Sequence, residues 1–443
     1  MSGHDAQHWN RRVASLAGPI VLSNLSVPLV GAVDTATVGH LSDPVYIGAV
    51  ALGAVIFSFL FWGFGFLRMS TSGLVAQSLG RGDSNEVRAI LCRALLTALA
   101  AGALLVVAQW PLGQGALALT DAQGRLSEET YRYFEIRVWG APAALANYAV
   151  LGCLIGLQKT GAALIHQLAL NLTNMILDVI LVFGFQLQTA GVAAASVAAE
   201  VVAAAVGMAL IARHLPQPFA VSSSQLLARE KLRALLIVNT NIAIRTLCLT
   251  TAFFYFAAVG TRLGESVLAA NAVLLHLQTF LAYGLDGFAH AAETLAGNAY
   301  GARHAEAFRA AVRASTRLAV LVAVAYTVLY ALGGRLLVNL LTDIDEVRGM
   351  AYTYLPWLVA APLLSVWSFQ LDGIFIGTTR SREMRNAMLL SLGGFVVLSV
   401  PLVQYQGNHG LWAALMLFMI LRALSLGFYY PALRRAAADP DRI

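Results

Sequence analysis

Gly152-Cys153-Leu154-Ile155-Gly156-Leu157-Gln158-Lys159-Thr160 recurs 221 residues later as Gly373-Ile374-Phe375-Ile376-Gly377-Thr378-Thr379-Arg380-Ser381. The same offset relates Val38-Gly39 to Val259-Gly260, Gly63 to Gly284, Gln77-Ser78-Leu79-Gly80 to Asn298-Ala299-Tyr300-Gly301, and Arg88-Ala89 to Arg309-Ala310. One ungapped register over most of 443 residues makes the chain two structurally equivalent halves. In a membrane protein such halves flank a transport path. The copies differ at their acids: Asp34 corresponds to Tyr255, and Asp178 to Ser399.

Composition places the chain in a bilayer. Hydrophobic residues make up 58% of it and charged residues 12%, against about 25% charge in a soluble protein. Twelve apolar stretches are long enough to cross a hydrocarbon core, near 13–40, 45–79, 87–110, 130–158, 161–183, 190–212, 232–261, 266–300, 307–333, 350–378, 384–405 and 410–433. They must be helices, because lipid offers the backbone no hydrogen-bond partners. The expected fold is all-α, with an N-lobe over 1–213, a linker over 214–231 and a C-lobe over 232–443. Pro216, Pro218 and Ser222-Ser223-Ser224 suggest a flexible joint there.

Basic residues set the orientation. Arg11, Arg12, Arg81, Arg88, Lys159, Arg213, Arg229, Lys231, Arg233, Arg303, Arg309, Arg380, Arg382, Arg385, Arg434 and Arg435 fall on one side. Arg125, Arg132, Arg137, Arg262, Arg335 and Arg348 fall on the other, amid acids such as Asp343, Asp345 and Glu346. Both termini are therefore expected in the cytoplasm, in a multi-pass protein of the cytoplasmic (inner) membrane. The asymmetry also accounts for the net charge of +6, so no nucleic-acid partner is implied. No short apolar core with a cleavage motif marks a signal peptide. Cys92, Cys153 and Cys248 lie in or beside spans with no pairing pattern, and free thiols are expected.

Ionisable groups at bilayer depth are costly and need a reason. On the fifth span Gln167, Asn171, Asn174 and Asp178 fall at steps of four, three and four, on one helical face. A carboxylate with amides one and two turns away suits a proton or a small hard cation. A polar interhelical seam is the plainer alternative. Asp34 lies on the first span after Pro19 and Pro28, which permit bending. If Asp34 and Asp178 share a pocket, a proton held between them becomes a switch on a bendable helix; otherwise Asp34 is solvated near the outer interface. On the eighth span Tyr283, Asp286, His290 and Glu293 form a second polar face, either lining a cavity for cationic substrates or pairing internally as an Asp-His-Glu ladder. Asp372 is either a cavity acid or a helix-end partner on the Arg380 side. Glu200, Arg68, Arg245 and Arg422 are expected in structural pairs, and His166 and His276 as satisfied core residues.

Other chemistry finds no support. The chain has no GxxxxGK[ST] phosphate loop for ATP-driven work and no HExxH zinc motif. Ser70-Thr71-Ser72-Gly73 is no nucleophile elbow, and Gly80-Arg81-Gly82-Asp83, with its copy Gly301-Ala302-Arg303-His304, is a structural turn. No resident metal or cofactor is expected.

Several segments resemble the DinF-like branch of the multidrug and toxic compound extrusion (MATE) transporters. They are Ser26-Val27-Pro28-Leu29 through Val33-Asp34-Thr35-Ala36, Gly39-His40-Leu41 with Ser42-Asp43-Pro44-Val45-Tyr46, Phe66-Leu67-Arg68-Met69-Ser70-Thr71, Asn174-Met175-Ile176-Leu177-Asp178-Val179, Leu285-Asp286-Gly287-Phe288-Ala289 and Leu371-Asp372-Gly373-Ile374-Phe375-Ile376-Gly377. The resemblance covers essentially the whole chain. It implies a V-shaped bundle of two six-helix lobes and cation-driven efflux of organic compounds by alternating access. It implies a cation site of Asp34, Asn174 and Asp178, to which helical spacing adds Asn171, and bending of the first span at Pro19. Another branch relies on C-lobe acids; Tyr255 opposite Asp34 argues against that here, while Asp286, Glu293 and Asp372 keep it open. The expected activity is proton-coupled antiport of cationic or amphipathic small molecules, with sodium as the alternative coupling ion and a monomer in the bilayer as the working unit. A lipid-linked saccharide flippase would call for a basic cavity, which the buried acids oppose. An intramembrane protease built on Asp34 and Asp178 lacks a GxGD-type context.

Overall fold

The computed structural model describes residues 3–39, 41, 43–120 and 123–438. His40 and Ser42 of the family-like segment, and residues 439–443 of the expected C-lobe, lie outside the described residues. Among the described residues every element is helical: α1 (Gly3–Gly39), α2 (Val45–Trp62), α3 (Phe66–Gly80), α4 (Ser84–Val107), α5 (Gln109–Thr120), α6 (Gly124–Arg137), α7 (Ala141–Gly156), α8 (Thr160–Val179), α9 (Gln188–His214), α10 (Ser223–Leu226), α11 (Arg229–Arg262), α12 (Glu265–Gly301), α13 (Ala305–Leu341), α14 (Asp345–Gly377), α15 (Ser381–Gln406) and α16 (Asn408–Ala436). Among the described residues twelve helical segments are long and apolar enough to span a membrane, α2–α3 and α6–α7 each forming one interrupted span. Val107, Leu332 and Phe428 are 81%, 85% and 82% exposed. Such outward apolar side chains suit lipid and would be a liability in water.

The repeat is written into the backbone. Helices start at Ser84 and Ala305, at Gly124 and Asp345, and at Thr160 and Ser381, each pair 221 residues apart. Asp83 caps α4 by accepting from the Glu86 amide at 2.9 Å, and His304 caps α13 by accepting from the Ala307 amide at 3.2 Å. Left-handed backbone recurs at the same offset: Gly82 and Arg303 at φ 72° and 56°, Gln158 and Thr379 at 60° and 53°, Gln186 and Gly407 at 55° and 54°. Conformations that non-glycine residues rarely adopt are kept in both copies even where the side chain changes.

Gly152-x-x-x-Gly156 and Gly373-x-x-x-Gly377 show why the opening motif is retained. A Cβ on Gly152 would stand 2.4 Å from the Arg68 carbonyl oxygen, and one on Gly156 2.7 Å from that of Ser72. A Cβ on Gly373 would stand 2.2 Å from the Ala289 carbonyl oxygen, and one on Gly377 2.0 Å from that of Glu293. Backbones touch at matching positions in each half, the close approach that small residues at four-residue spacing allow in membranes.

The chain forms two compact units. One comprises Leu22–Leu79 and Asp83–Leu236; the other takes in the chain up to Val21, Gly80–Gly82 and everything from Ile237. The division differs from the expected 1–213 and 232–443, since α1 belongs to both units. Its first part buries Val13, Leu16 and Ala17 with Ala291, Leu295, Ala311 and Ala314, and glycine at 287 leaves room for the Val21 side chain. The linker is also firmer than a flexible joint. Arg88 donates to the Pro216 carbonyl at 3.2 and 3.1 Å, and Arg93 to those of Leu226 and Gln225 at 3.3 and 2.7 Å. Glu86 pairs with both Arg93 and Lys231.

Candidate cation-coupling site

The site lies in the unit built around α8. Its polar face points inward, with Asn171, Asn174 and Asp178 all buried. Directly after Asp178 the helix widens into a π turn over Ile180–Gly184, a distortion often found at functional positions. Asp34, from the second part of α1, brings its carboxylate to Asp178, close enough for a hydrogen bond when one of them carries a proton. Asp34 Oδ1, both carboxylate oxygens of Asp178 and Asn174 Oδ1 are buried and accept nothing from any described protein donor. Ionised carboxylates only accept, so the pocket gathers acceptors that suit a proton or a small cation. Asn174 is held by donating from Nδ2 to Ser196 on α9 at 3.2 Å.

Asn171, unlike Asn174, has its amide oxygen engaged by a protein donor. Its Nδ2 donates to Ser26 on α1 at 2.7 Å, and its Oδ1 accepts from Gln167 at 3.0 Å. The amide ties α1 to α8 about two turns below the acids. Pro28 sits between that tie at Ser26 and Asp34, within the continuous helix α1; Pro19 lies in the part of α1 that belongs to the other unit.

The repeat offers an internal check on the acid pair. Tyr255 and Ser399, the counterparts of Asp34 and Asp178, hydrogen-bond through their hydroxyls at 3.0 Å. The fold brings these two positions together in both halves, and only the first half places acids there. Phe395, at the position matching Asn174, packs its ring against Tyr255.

The second polar face behaves differently. His290 Nδ1 pairs with Glu293 at 2.9 Å, the internal pairing that was one of its two readings. Asp286 lies within electrostatic reach of Tyr283 and Arg422. Asp372 is neither an open cavity acid nor a partner on the Arg380 side: Arg245 and Arg422 both donate to its Oδ2, the latter at 2.5 Å. Both guanidiniums engage this one buried carboxylate, and Asp286 adds a second negative charge within reach of Arg422, so the acid is committed to an ion-paired cluster. Arg380 instead pairs with Glu383.

Sequence reasoning missed the surroundings of the acids. Arg137 looks like an outer-loop charge in a run of polar residues, yet α6 starts at Gly124 and carries it inward to a bidentate pair with Glu200. Tyr133, one turn earlier, is buried within electrostatic reach of Asp34, Asp178 and Glu200. Glu200 was the available signal, since a carboxylate at that depth demands a cation. His166 is held through Nε2 by Asn147 at 3.0 Å, while its buried Nδ1 meets no described partner, so it is only half satisfied.

The MatE family model matches residues 19–180 and again 242–403, one match per half. The chain is 42% identical over 413 residues to DNA damage-inducible protein F of Escherichia coli, covering 93% of this chain and 90% of that one. A structure titled the outward-facing conformation of a multidrug resistance MATE family transporter superposes with a TM-score of 0.87 at 18% identity, covering 97% of this chain and 96% of the other. A MATE crystal structure described as the bent conformation gives 0.87 at 20% identity, covering 99% and 100%. The twelve spans, the doubled match and the near-complete alignment establish that the chain belongs to the MatE family, the multidrug and toxic compound extrusion transporters.

Proposed function

We propose that the chain is a proton-coupled antiporter of the cytoplasmic membrane, with both termini in the cytoplasm, exporting cationic or amphipathic organic compounds by alternating access. The observation that carries this reading is the buried acceptor set of Asp34, Asn174 and Asp178, with no described protein donor. A proton entering from outside supplies the missing donor and joins the two carboxylates across α1 and α8. Its loss leaves two like charges facing each other in a medium of low polarity, which drives the helices apart. Asn171 and Ser26 keep a fixed point below, so separation is taken up along α1 around Pro28.

Sodium is the second reading, favoured by the unengaged Asn174 Oδ1, which adds a neutral oxygen to the carboxylates. Proteoliposomes loaded with ethidium decide between them. Efflux should follow an imposed pH gradient in the absence of sodium and vanish in Asp34→Asn. Efflux driven by sodium alone at equal pH would overturn proton coupling. Full pumping by Asp34→Asn would overturn the site.

A further inference from the structure

Arg137 and Glu200 take no part in the proton exchange just described, yet they are built onto its pocket. Arg137 Nη1 and Nη2 donate to the two carboxylate oxygens of Glu200 at 2.9 and 2.5 Å. The guanidinium carbon stands 5.3 Å from the ring centre of Phe57 and 5.2 Å from that of Phe61. Gly140 makes room for the pair, since a Cβ there would lie 2.4 Å from Glu200 Oε2 and 2.8 Å from Arg137 Nη1. Asn147 Nδ2 donates to the Glu200 carbonyl at 2.9 Å, fixing α9 behind it. Toward the acids, Tyr133 is within hydrogen-bonding reach of the guanidinium, and Asp34 is within its electrostatic reach.

A structural pin would be the bland explanation, and the repeat argues against it. At the matching positions of the other half, Arg137 is replaced by Leu358 and Glu200 by Leu421, while Tyr133 remains a tyrosine, Tyr354. Leu358 is fully buried in that half's core. The fold therefore closes at these positions without an ion pair. The pair occurs only in the half that carries the two acids. A buried ion pair that hydrophobic residues can replace is poor stabilisation, so its presence calls for another role.

We propose that Arg137, held in place by Glu200, is a positioning residue of the coupling site, supplying the positive field that sets when Asp34 and Asp178 exchange their proton. The assignment rests on the reading of Asp34 and Asp178 as the coupling pair. The charged and titratable groups involved are Asp34 on α1, Asp178 on α8, Tyr133 and Arg137 on α6 and Glu200 on α9, with Tyr148 on α7 facing Arg137 and Glu200 and Arg68 on α3 within reach of Tyr148. Glu200 cancels part of the guanidinium's field and fixes its distance from Asp34. Neutralising Glu200 alone strengthens the field and favours the ionised pair. Neutralising both removes it and favours the protonated pair.

The test is a pH titration of purified protein in lipid nanodiscs by infrared spectroscopy, following the protonated-carboxyl band that disappears in Asp34→Asn. The midpoint should move down by about one pH unit in Glu200→Gln and up by a similar amount in Arg137→Gln/Glu200→Gln. Arg137→Lys, which keeps the charge, should stay nearer the wild type. The double variant has no unpaired buried charge, so it keeps the test open if Glu200→Gln folds poorly. Equal midpoints in wild type and the double variant would overturn the role of Arg137 while leaving the coupling pair intact. A band unaffected by Asp34→Asn would overturn the coupling pair itself, and this assignment with it.

Discussion

Asp34 and Asp372 are both acids within spans, yet removing their charges should have opposite consequences. Asp372 is shared by two buried guanidiniums, Arg245 and Arg422. Asp372→Asn strips both of their hydrogen-bonded carboxylate, and breaking a buried pair in this way costs about 3–5 kcal/mol. Asp34→Asn removes one of two like charges and supplies an amide donor to Asp178, whose oxygens otherwise meet no described protein donor. A thermal-stability assay in detergent should show Asp372→Asn melting well below the wild type and Asp34→Asn at or above it. An unaffected Asp372→Asn would mean that the two arginines are neutralised by other groups. Charge alone therefore cannot rank buried acids; the partner decides between scaffold and switch.

At the level of elements, the glycine contacts carry the packing of α12 against α14. Gly373→Val should destabilise by about 1–3 kcal/mol, the range for an overpacked interface, because the carbonyl it meets belongs to a helix backbone and cannot rotate away. Gly427→Ala on α16, where a Cβ meets nothing within 4 Å, should leave the melting temperature unchanged or raise it. Equal melting of the two variants would show that the close approach does not bear on stability. The helices themselves were legible in the sequence, because bilayer thickness fixes the length of an apolar span. The inward face of α8 was legible from its four- and three-residue steps. What periodicity could not convey was α5, a twelve-residue helix too short for a span signal, and the start of α6 at Gly124, ahead of the fourth span expected from 130. Partner choice was equally hidden: Arg137 for Glu200, and Arg245 with Arg422 for Asp372, are more than 45 residues apart and on different helices.

At the scale of the whole chain, one backbone design serves two chemistries. Asp34, Asp178, Asn174, Arg137 and Glu200 correspond to Tyr255, Ser399, Phe395, Leu358 and Leu421, while Asp372, Arg245 and Arg422 correspond to Leu151, Asn24 and Val201. Each half keeps its own charged cluster where the other is apolar or neutral. The division makes a transplant informative. Tyr255→Asp with Ser399→Asp would place two carboxylates at positions that already meet at 3.0 Å. Their neighbours would be Phe395 and Leu358 in place of an amide and a guanidinium, so the new pair would lack both the neutral oxygen and the positive field of the original. In an Asp34→Asn background the transplanted acids should therefore fail to restore pH-gradient-driven efflux of ethidium from proteoliposomes, provided that the purified variant is monodisperse and still binds ethidium. Restored pumping would show that two facing acids on this backbone suffice for coupling and that the surroundings supplied by Asn174, Arg137 and Glu200 are dispensable.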